Sequence, residues 1–324
     1  MTDAFQPISA SERPRFTEIA TFMRLPHVPE GDARRAQVEI GLMGVPFDLG
    51  TTNRPGARHG PRQVREASAL IRRAHRVHGM YPFELARCAD LGDCLVNPAD
   101  LQDSLAKIEA AAAALHAAGT VPLCVGGDHL VTLPLLRAAK RDRPLGLVHF
   151  DSHSDTWDTY FGGWKYTHGT PFRRAIEEGL LDPRRCIQIG IRGSMYDLED
   201  NAWAEAQGMR VVYIEEYWRM GPEAVAAEAR RVVGDGPAYL SFDIDAIDPA
   251  FAPGTGTPEI GGYSPAEAQR MLRGLLGVDF VAADLVEVSP PFDQAGGTAM
   301  VAANLLFEIL CLLAARVSAR RQPA

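Results

Sequence analysis

Three short stretches of this chain place acids and imidazoles at spacings that suit metal ions. The first is Gly126-Gly127-Asp128-His129, directly after the apolar run Val121-Pro-Leu-Cys-Val125. The second is Asp151-Ser152-His153-Ser154-Asp155, after Leu145 to Phe150. The third is Asp243-Ile244-Asp245-Ala246-Ile247-Asp248, at the end of Ala238 to Phe242. In an extended segment alternate residues share one side, so Asp151, His153 and Asp155 point the same way, as do Asp243 and Asp245. Such groups repel or stay poorly solvated without a cation to organise them. A Gly-Gly-Asp turn or a spaced pair of acids is, taken singly, as compatible with a plain polar loop. An EF-hand is excluded for the third stretch, because its glycine and closing glutamate are absent.

Taken together, the stretches offer His129, Asp151, His153, Asp155, Asp243 and Asp245, a donor set too rich in carboxylates for one structural zinc. Mixed oxygen and nitrogen donors suit Mn²⁺, with Ni²⁺, Fe²⁺, Co²⁺ or Zn²⁺ as substitutes. The number fits two divalent ions sharing carboxylates, about 3.5–4 Å apart in typical sites, which supply hydroxide from water near neutral pH.

The elements that must hold these residues are legible as eight apolar runs, at 38–45, 86–92, 121–127, 145–151, 186–193, 209–215, 238–245 and 280–288. Several are apolar on both faces, as buried parallel strands are. Helical patterns fall between them, clearest at 104–119, 222–234, 264–277 and 298–318. The alternation predicts an α/β fold with helices on both faces of a parallel sheet. Ligands of such folds bind at the carboxyl edge of the sheet, where all three stretches fall. Residues 1–35 read as an irregular N-terminal extension, lying across the surface or a neighbouring subunit, and 36–320 as a single domain.

The 324 residues are 46% hydrophobic and 23% charged, with a formal net charge of −8. That balance argues against a general nucleic-acid or anionic-membrane role and suits a cationic small substrate. Five cysteines show no Cys-x-x-Cys pair and read as reduced, half-buried thiols of a cytoplasmic protein. No basic region followed by an apolar run opens the chain, and no stretch reads as apolar for long enough to span a bilayer. The apolar segment 301–317, interrupted by Asn304 and Glu308, reads as a core helix.

The segments 126–129, 151–155 and 241–259 (Ser-Phe-Asp-Ile-Asp through Gly-Thr-Gly-Thr-Pro-Glu) resemble, in order and spacing, the signature blocks of the ureohydrolase family of arginases, agmatinases, guanidinobutyrases and guanidinopropionases. The resemblance runs from about Gly44 to Leu312. It implies a three-layer α/β/α fold with a central eight-stranded parallel sheet, and a homo-oligomer, trimeric or hexameric. It implies one metal on His129, Asp151, Asp155 and Asp243, and a second on Asp151, His153, Asp243 and Asp245. His168 would then shuttle protons, Glu287 would bind the guanidinium, and Asp155 would orient the attacking hydroxide. Taken without the resemblance, His168 is an ordinary loop histidine, whereas Glu287, at a buried strand end, needs a partner in any case.

The segment 156–166 is aromatic and lacks the small polar set of arginases, which disfavours free arginine. Trp157, Asp158 and Tyr160 are the expected substrate contacts, with loop anchoring as the alternative for each aromatic. Asp158 would face the amine of agmatine; Lys165, or an arginine such as Arg58, would face the carboxylate of a guanidino acid. The expectation is hydrolysis of 4-guanidinobutyrate or 3-guanidinopropionate to urea and an amine, with agmatine, guanidine and a substituted biguanide as alternatives. A non-catalytic subunit is disfavoured by the intact ligand set, and a binuclear phosphoesterase by the charge of Glu287.

Overall fold

A computed structural model describes residues 4–321. Its centre is one sheet of eight parallel strands: β1 (Ile40–Val45), β2 (Cys88–Asp93), β3 (Val121–Gly126), β4 (Leu145–Phe150), β5 (Leu181–Ile191), β6 (Arg210–Tyr213), β7 (Ala238–Asp243) and β8 (Phe280–Val286). Each lies within one of the eight apolar runs, except that β5 begins earlier and β2 ends one residue later. Residues Ile214–Met220, partly assigned to the sixth run, turn into a helix.

The spatial order is β2-β1-β3-β8-β7-β4-β5-β6. Strands β3, β8, β7 and β4 are therefore consecutive neighbours, although β4 and β7 are far apart along the chain. Their registers are level: Val125 pairs with Leu285, Leu285 with Phe242, and Phe242 with Phe150. The next residues, Gly126, Val286, Asp243 and Asp151, leave the sheet at one height. The three polar stretches and Glu287 thus emerge from four adjacent strands at a single edge.

Helices cover both faces. Gly60–Ala67, Pro222–Val233, Pro265–Gly274 and Gly297–Arg321 contribute to one apolar core, and Leu101–Ala117, Thr132–Ala139 and Pro171–Glu177 to the other. Strand β8 feeds both, with Phe280, Ala283 and Leu285 on one side and Val281, Ala282 and Val286 on the other. Residue choice sets the helix ends. Ser264 accepts the Glu267 N–H while the Glu267 carboxylate accepts the Ser264 N–H, a capping box whose serine contributes about 1 kcal/mol.

The Gly297–Arg321 helix is long and apolar enough to cross a membrane, which corrects the reading that no stretch is. It is nevertheless 78% buried over its most apolar window, as a core helix is. Its Glu308 carboxylate lies in that buried surface, paired to Arg273 and, at 2.7 Å, to His75. All five cysteines are free, and they are buried rather than half-buried.

Residues 1–3 of the N-terminal segment lie outside the described residues. The remainder contains two 3₁₀ turns, Phe22–Arg24 and Ala33–Gln37, and packs onto the body of the protein. The Phe22 N–H donates to Asp90 at 2.9 Å, and the Arg65 guanidinium covers the Phe22 ring at 4.3 Å.

Candidate active site

The turn after β3 is possible only with glycine at 127. A Cβ there would lie 1.5 Å from the Phe47 carbonyl oxygen. Asp128 then takes N–H bonds from Gly50 (2.7 Å) and Leu130 (3.0 Å), tying the loop that carries Thr52 to the turn that carries His129.

His129 Nδ1 lies 3.0 Å from Asp151 Oδ2, 2.9 Å from Asp155 Oδ2 and 3.1 Å from Asp243 Oδ2. All four side chains are buried. Nδ1 nonetheless makes no hydrogen bond. The reason lies on the far side of the ring. Ser241 Oγ donates to Asp284 at 2.6 Å, so it accepts from His129 Nε2 at 2.9 Å, and in the neutral ring Nδ1 carries the lone pair. Asp284, a lone acid inside β8, also accepts from Thr132 (2.7 Å) and Tyr239 (2.8 Å).

A second set adjoins the first. His153 Nδ1 is 3.1 Å from Asp245 Oδ2 and 3.5 Å from Asp151 Oδ1. Asp151 therefore turns one oxygen to each set, as a bridging carboxylate does. Asp243 offers Oδ2 to the His129 set, but its Oδ1 accepts the Asp245 N–H at 2.8 Å, so these contacts do not express the bridging expected of it. Asp245 Oδ1 is occupied by the Ser152 N–H (3.0 Å) and hydroxyl (2.7 Å), which leaves Oδ2 facing His153.

The electrostatics ask for cations. Burial, with Asp245 and Asp151 alongside, pushes the Asp243 carboxyl well above the usual range. Burial opposes charge on His129, yet Asp151, Asp155 and Asp243 raise its pKa well above the ordinary value. Positive charge is favoured at this point, and a lone pair aimed at three carboxylate oxygens fits a metal ion. The oxygen-rich set with two imidazoles suits Mn²⁺ or a similar divalent ion.

His149, which the sequence did not single out, supports this centre. Its Nε2 lies 2.8 Å from Asp151 Oδ2, and its Nδ1 lies 3.1 Å from Gln188 Nε2. Gln188 can only donate with that nitrogen, so His149 donates to Asp151 and holds the shared carboxylate in place.

Glu287 and Asp155 are non-glycine residues with left-handed backbone, φ 65° and 50°. Each costs about 1–3 kcal/mol, strain of the kind retained at functional sites. Glu287 Oε1 accepts the His129 N–H and faces His168 Nδ1, both at 2.9 Å. Its Oε2 is buried without a partner, near Gly256, where a Cβ would lie 3.6 Å away. His168 Nε2 meets both groups of Thr52, the N–H at 3.1 Å and the hydroxyl at 2.7 Å. The amide serves an unprotonated Nε2 and the hydroxyl a protonated one, which suits a histidine that changes charge. Burial works against the imidazolium, but Glu287, Asp128 and Asp155 outweigh it and raise the pKa to about 9.

A cavity of about 420 Å³ opens over these groups, lined by His153, Asp155, His168 and Asp243 at its base. Trp157 and Tyr160 line it, their rings stacked with centroids 5.5 Å apart, and Tyr196 meets Trp157 edge-on at 5.0 Å. Asp158 does not line it. Its carboxylate pairs with Arg174 at 2.8 Å, and its side chain is 56% exposed, which removes it from the expected substrate contacts. Lys165 is exposed outside the cavity, and Arg58 is held by Asp48. The arginine on the wall is Arg54, which sits over the Phe292 ring at 5.1 Å. Glu259 lines the same cavity and has no ion pair among the described residues. No sequence pattern marks Tyr196, whereas Asp284 could have been found as an acid inside an apolar strand.

Comparison with known proteins agrees with this geometry. Residues 38–312 match the model of the arginase family. The chain is 62% identical to a guanidinopropionase of Pseudomonas aeruginosa, covering 95% of this chain and 96% of that one. It is 49% identical, with the same coverage, to a guanidinobutyrase of the same organism. Among solved structures, proclavaminate amidino hydrolase from Streptomyces clavuligerus superposes with a TM-score of 0.89 at 40% identity, covering 94% of this chain and 99% of that one.

Proposed function

Because this chain belongs to the arginase family, we propose that its buried carboxylate edge hydrolyses a linear guanidino acid, 3-guanidinopropionate or 4-guanidinobutyrate, to urea and an amine. The observation that carries the reading is Glu287 Oε2, a buried carboxylate oxygen without a partner beside His168 and the two ligand sets. A guanidinium is planar and charged, and it supplies the N–H donors that such an oxygen lacks.

Two divalent ions, Mn²⁺ in this reading with Ni²⁺ as an alternative, would be held by His129, Asp151, Asp155 and Asp243 and by Asp151, His153, Asp243 and Asp245. When bound they supply the Lewis acidity that makes water a nucleophile near neutral pH. The chain does the rest. Glu287 holds the guanidinium, the Ser241–Asp284 pair holds the proton of the neutral His129 ring on Nε2 so that Nδ1 is the nitrogen offered to the metal, and Asp155 orients water at the cavity base. His168, served in both protonation states by Thr52, hands a proton to the departing amine. Trp157, Tyr160 and Tyr196 cover the apolar stem of the substrate.

Arg54 supports a carboxylate tail, since it is the arginine on the cavity wall. Glu259 on the same wall favours a second reading, a cationic tail such as that of agmatine. A urea-release screen with Mn²⁺ or Ni²⁺ across guanidino acids of different length, agmatine, arginine, guanidine and biguanides separates the two. The guanidino acids should show the highest kcat/KM. Preference for agmatine overturns the tail assignment, and absence of urea from every substrate overturns the reaction.

Exposed Phe16 and Ile19, at 90% and 89%, support self-association, which sedimentation of the metal-loaded protein tests. Five unpaired cysteines support a reducing, cytoplasmic setting.

A further inference from the structure

The N-terminal segment folds over a second cavity, of about 900 Å³, that the chemistry above does not use. Its walls include Ser9, Ser11, Arg15, Arg24, Arg72 and Arg73. Arg24 is only 7% exposed. Its Nη1 donates to the Arg13 carbonyl at 3.0 Å, but its Nη2 is buried with no partner. The Nε of Arg15 is likewise buried and unpaired. Among the described residues no carboxylate forms an ion pair with Arg15, Arg24, Arg72 or Arg73, although Glu12 lies on the same wall. The neighbouring Arg13 is paired to Glu18.

A guanidinium cannot shed its charge at any pH a protein meets, so a buried one with a free N–H calls for an anion. The backbone is arranged for this residue. Met23 and Arg24 both adopt left-handed conformations, φ 54° and 59°, and the Ile8 N–H donates to the Arg24 carbonyl at 3.1 Å, closing the 8–15 segment over the side chain. The concavity is basic on a chain whose net charge is −8, so the local field opposes the overall one.

We propose that this groove binds a small oxyanion bearing phosphate or carboxylate groups, with Arg24 and Arg15 at its floor and Arg72 and Arg73 at its rim. Planar guanidinium forks match either anion. The ligand is a free anion; the other source of the same chemistry is an acidic side chain of a second copy of this chain. The site is separate from the guanidine-hydrolysing centre and does not depend on how that centre is read.

The test uses the full-length, metal-loaded protein and isothermal titration with inorganic phosphate, pyrophosphate and citrate, with ionic strength held constant by KCl. At least one anion should bind saturably. Arg24→Gln should weaken it by at least about tenfold, as loss of a charge-assisted contact does. Because Arg24 is buried, the exposed double variant Arg72→Gln/Arg73→Gln is measured beside it. That variant should lose affinity while its anion-free urea release stays at the wild-type rate. Absence of saturable binding, or equal affinity in wild type and both variants, overturns the proposal. Sedimentation distinguishes the source. If the variants fall to a smaller species and the wild type binds none of the three anions, the arginines serve a partner's carboxylate and the free-anion site is wrong.

Discussion

Glu287 Oε1 is shared between the His168 ring, at 2.9 Å, and the His129 backbone N–H, also at 2.9 Å. One carboxylate thereby joins the loop histidine to the turn that carries the proposed metal-binding imidazole, and its other oxygen is buried without a partner.

Glu287→Gln keeps the shape and removes the charge. Turnover of the best guanidino substrate should fall in kcat/KM by about 100- to 1,000-fold, corresponding to about 2.7–4 kcal/mol, while elemental analysis still finds the wild-type metal content. A wild-type kcat/KM in this variant would remove Glu287 from guanidinium binding.

Asp151 offers one oxygen to each ligand set, so Asp151→Asn should lower metal content and activity together. His149 touches no other expected ligand by hydrogen bond, and its effect should be milder. His149→Leu should weaken metal retention about 10- to 100-fold, as loss of an outer hydrogen bond to a ligand does. Dialysis against graded chelator reads both. Two tightly held ions in Asp151→Asn would contradict the shared carboxylate.

Arg54 and Glu259 face one cavity with opposite charge. Arg54→Gln should raise KM for guanidino acids by about tenfold, the loss of one charge-assisted contact, and leave agmatine unharmed. Glu259→Gln should leave guanidino acids unharmed. The reverse pattern in a KM comparison would assign the tail to Glu259.

His168 carries a pH signature in the metal-free protein. Burial disfavours its charged form, but Glu287 and the nearby aspartates raise its pKa to about 9, above the ordinary value of 6.5. The folded state therefore binds the proton more tightly than the unfolded state. The stabilisation is complete below pH 6.5 and is lost as pH rises through about 9, on the order of 3 kcal/mol in all. Denaturant melts of metal-free wild type and His168→Asn between pH 6 and 10 should converge toward the alkaline end. A constant gap would mean that His168 does not titrate there.

Much of this protein was legible before its structure. The alternation of apolar runs with helical patterns predicted all eight strands, because buried parallel strands must be apolar on both faces. The spacing of Asp151, His153 and Asp155 marked them as one set of donors, but strand alternation is not what gathers them, since the segment bends at 152–153 and Asp155 is left-handed, φ 50°. The helical pattern predicted at 264–277 opens at Ser264, whose capping box with Glu267 is local.

What residue types and short spacings determine by themselves is therefore the menu: a parallel α/β sheet, a set of donors whose chemistry suits metal ions, and an acid at the end of β8. Tertiary structure decided the rest, because those facts depend on which strands become neighbours. The order β3-β8-β7-β4 brings His129, Glu287, Asp243 and Asp151 to one edge, and no local pattern encodes strand order. The same packing turned Asp158 outward to Arg174, where a loop sequence alone suggested a substrate contact, and it put Arg54 rather than Arg58 on the cavity wall. It also recruited His149, Ser241 and Asp284, whose roles exist only through partners on other strands.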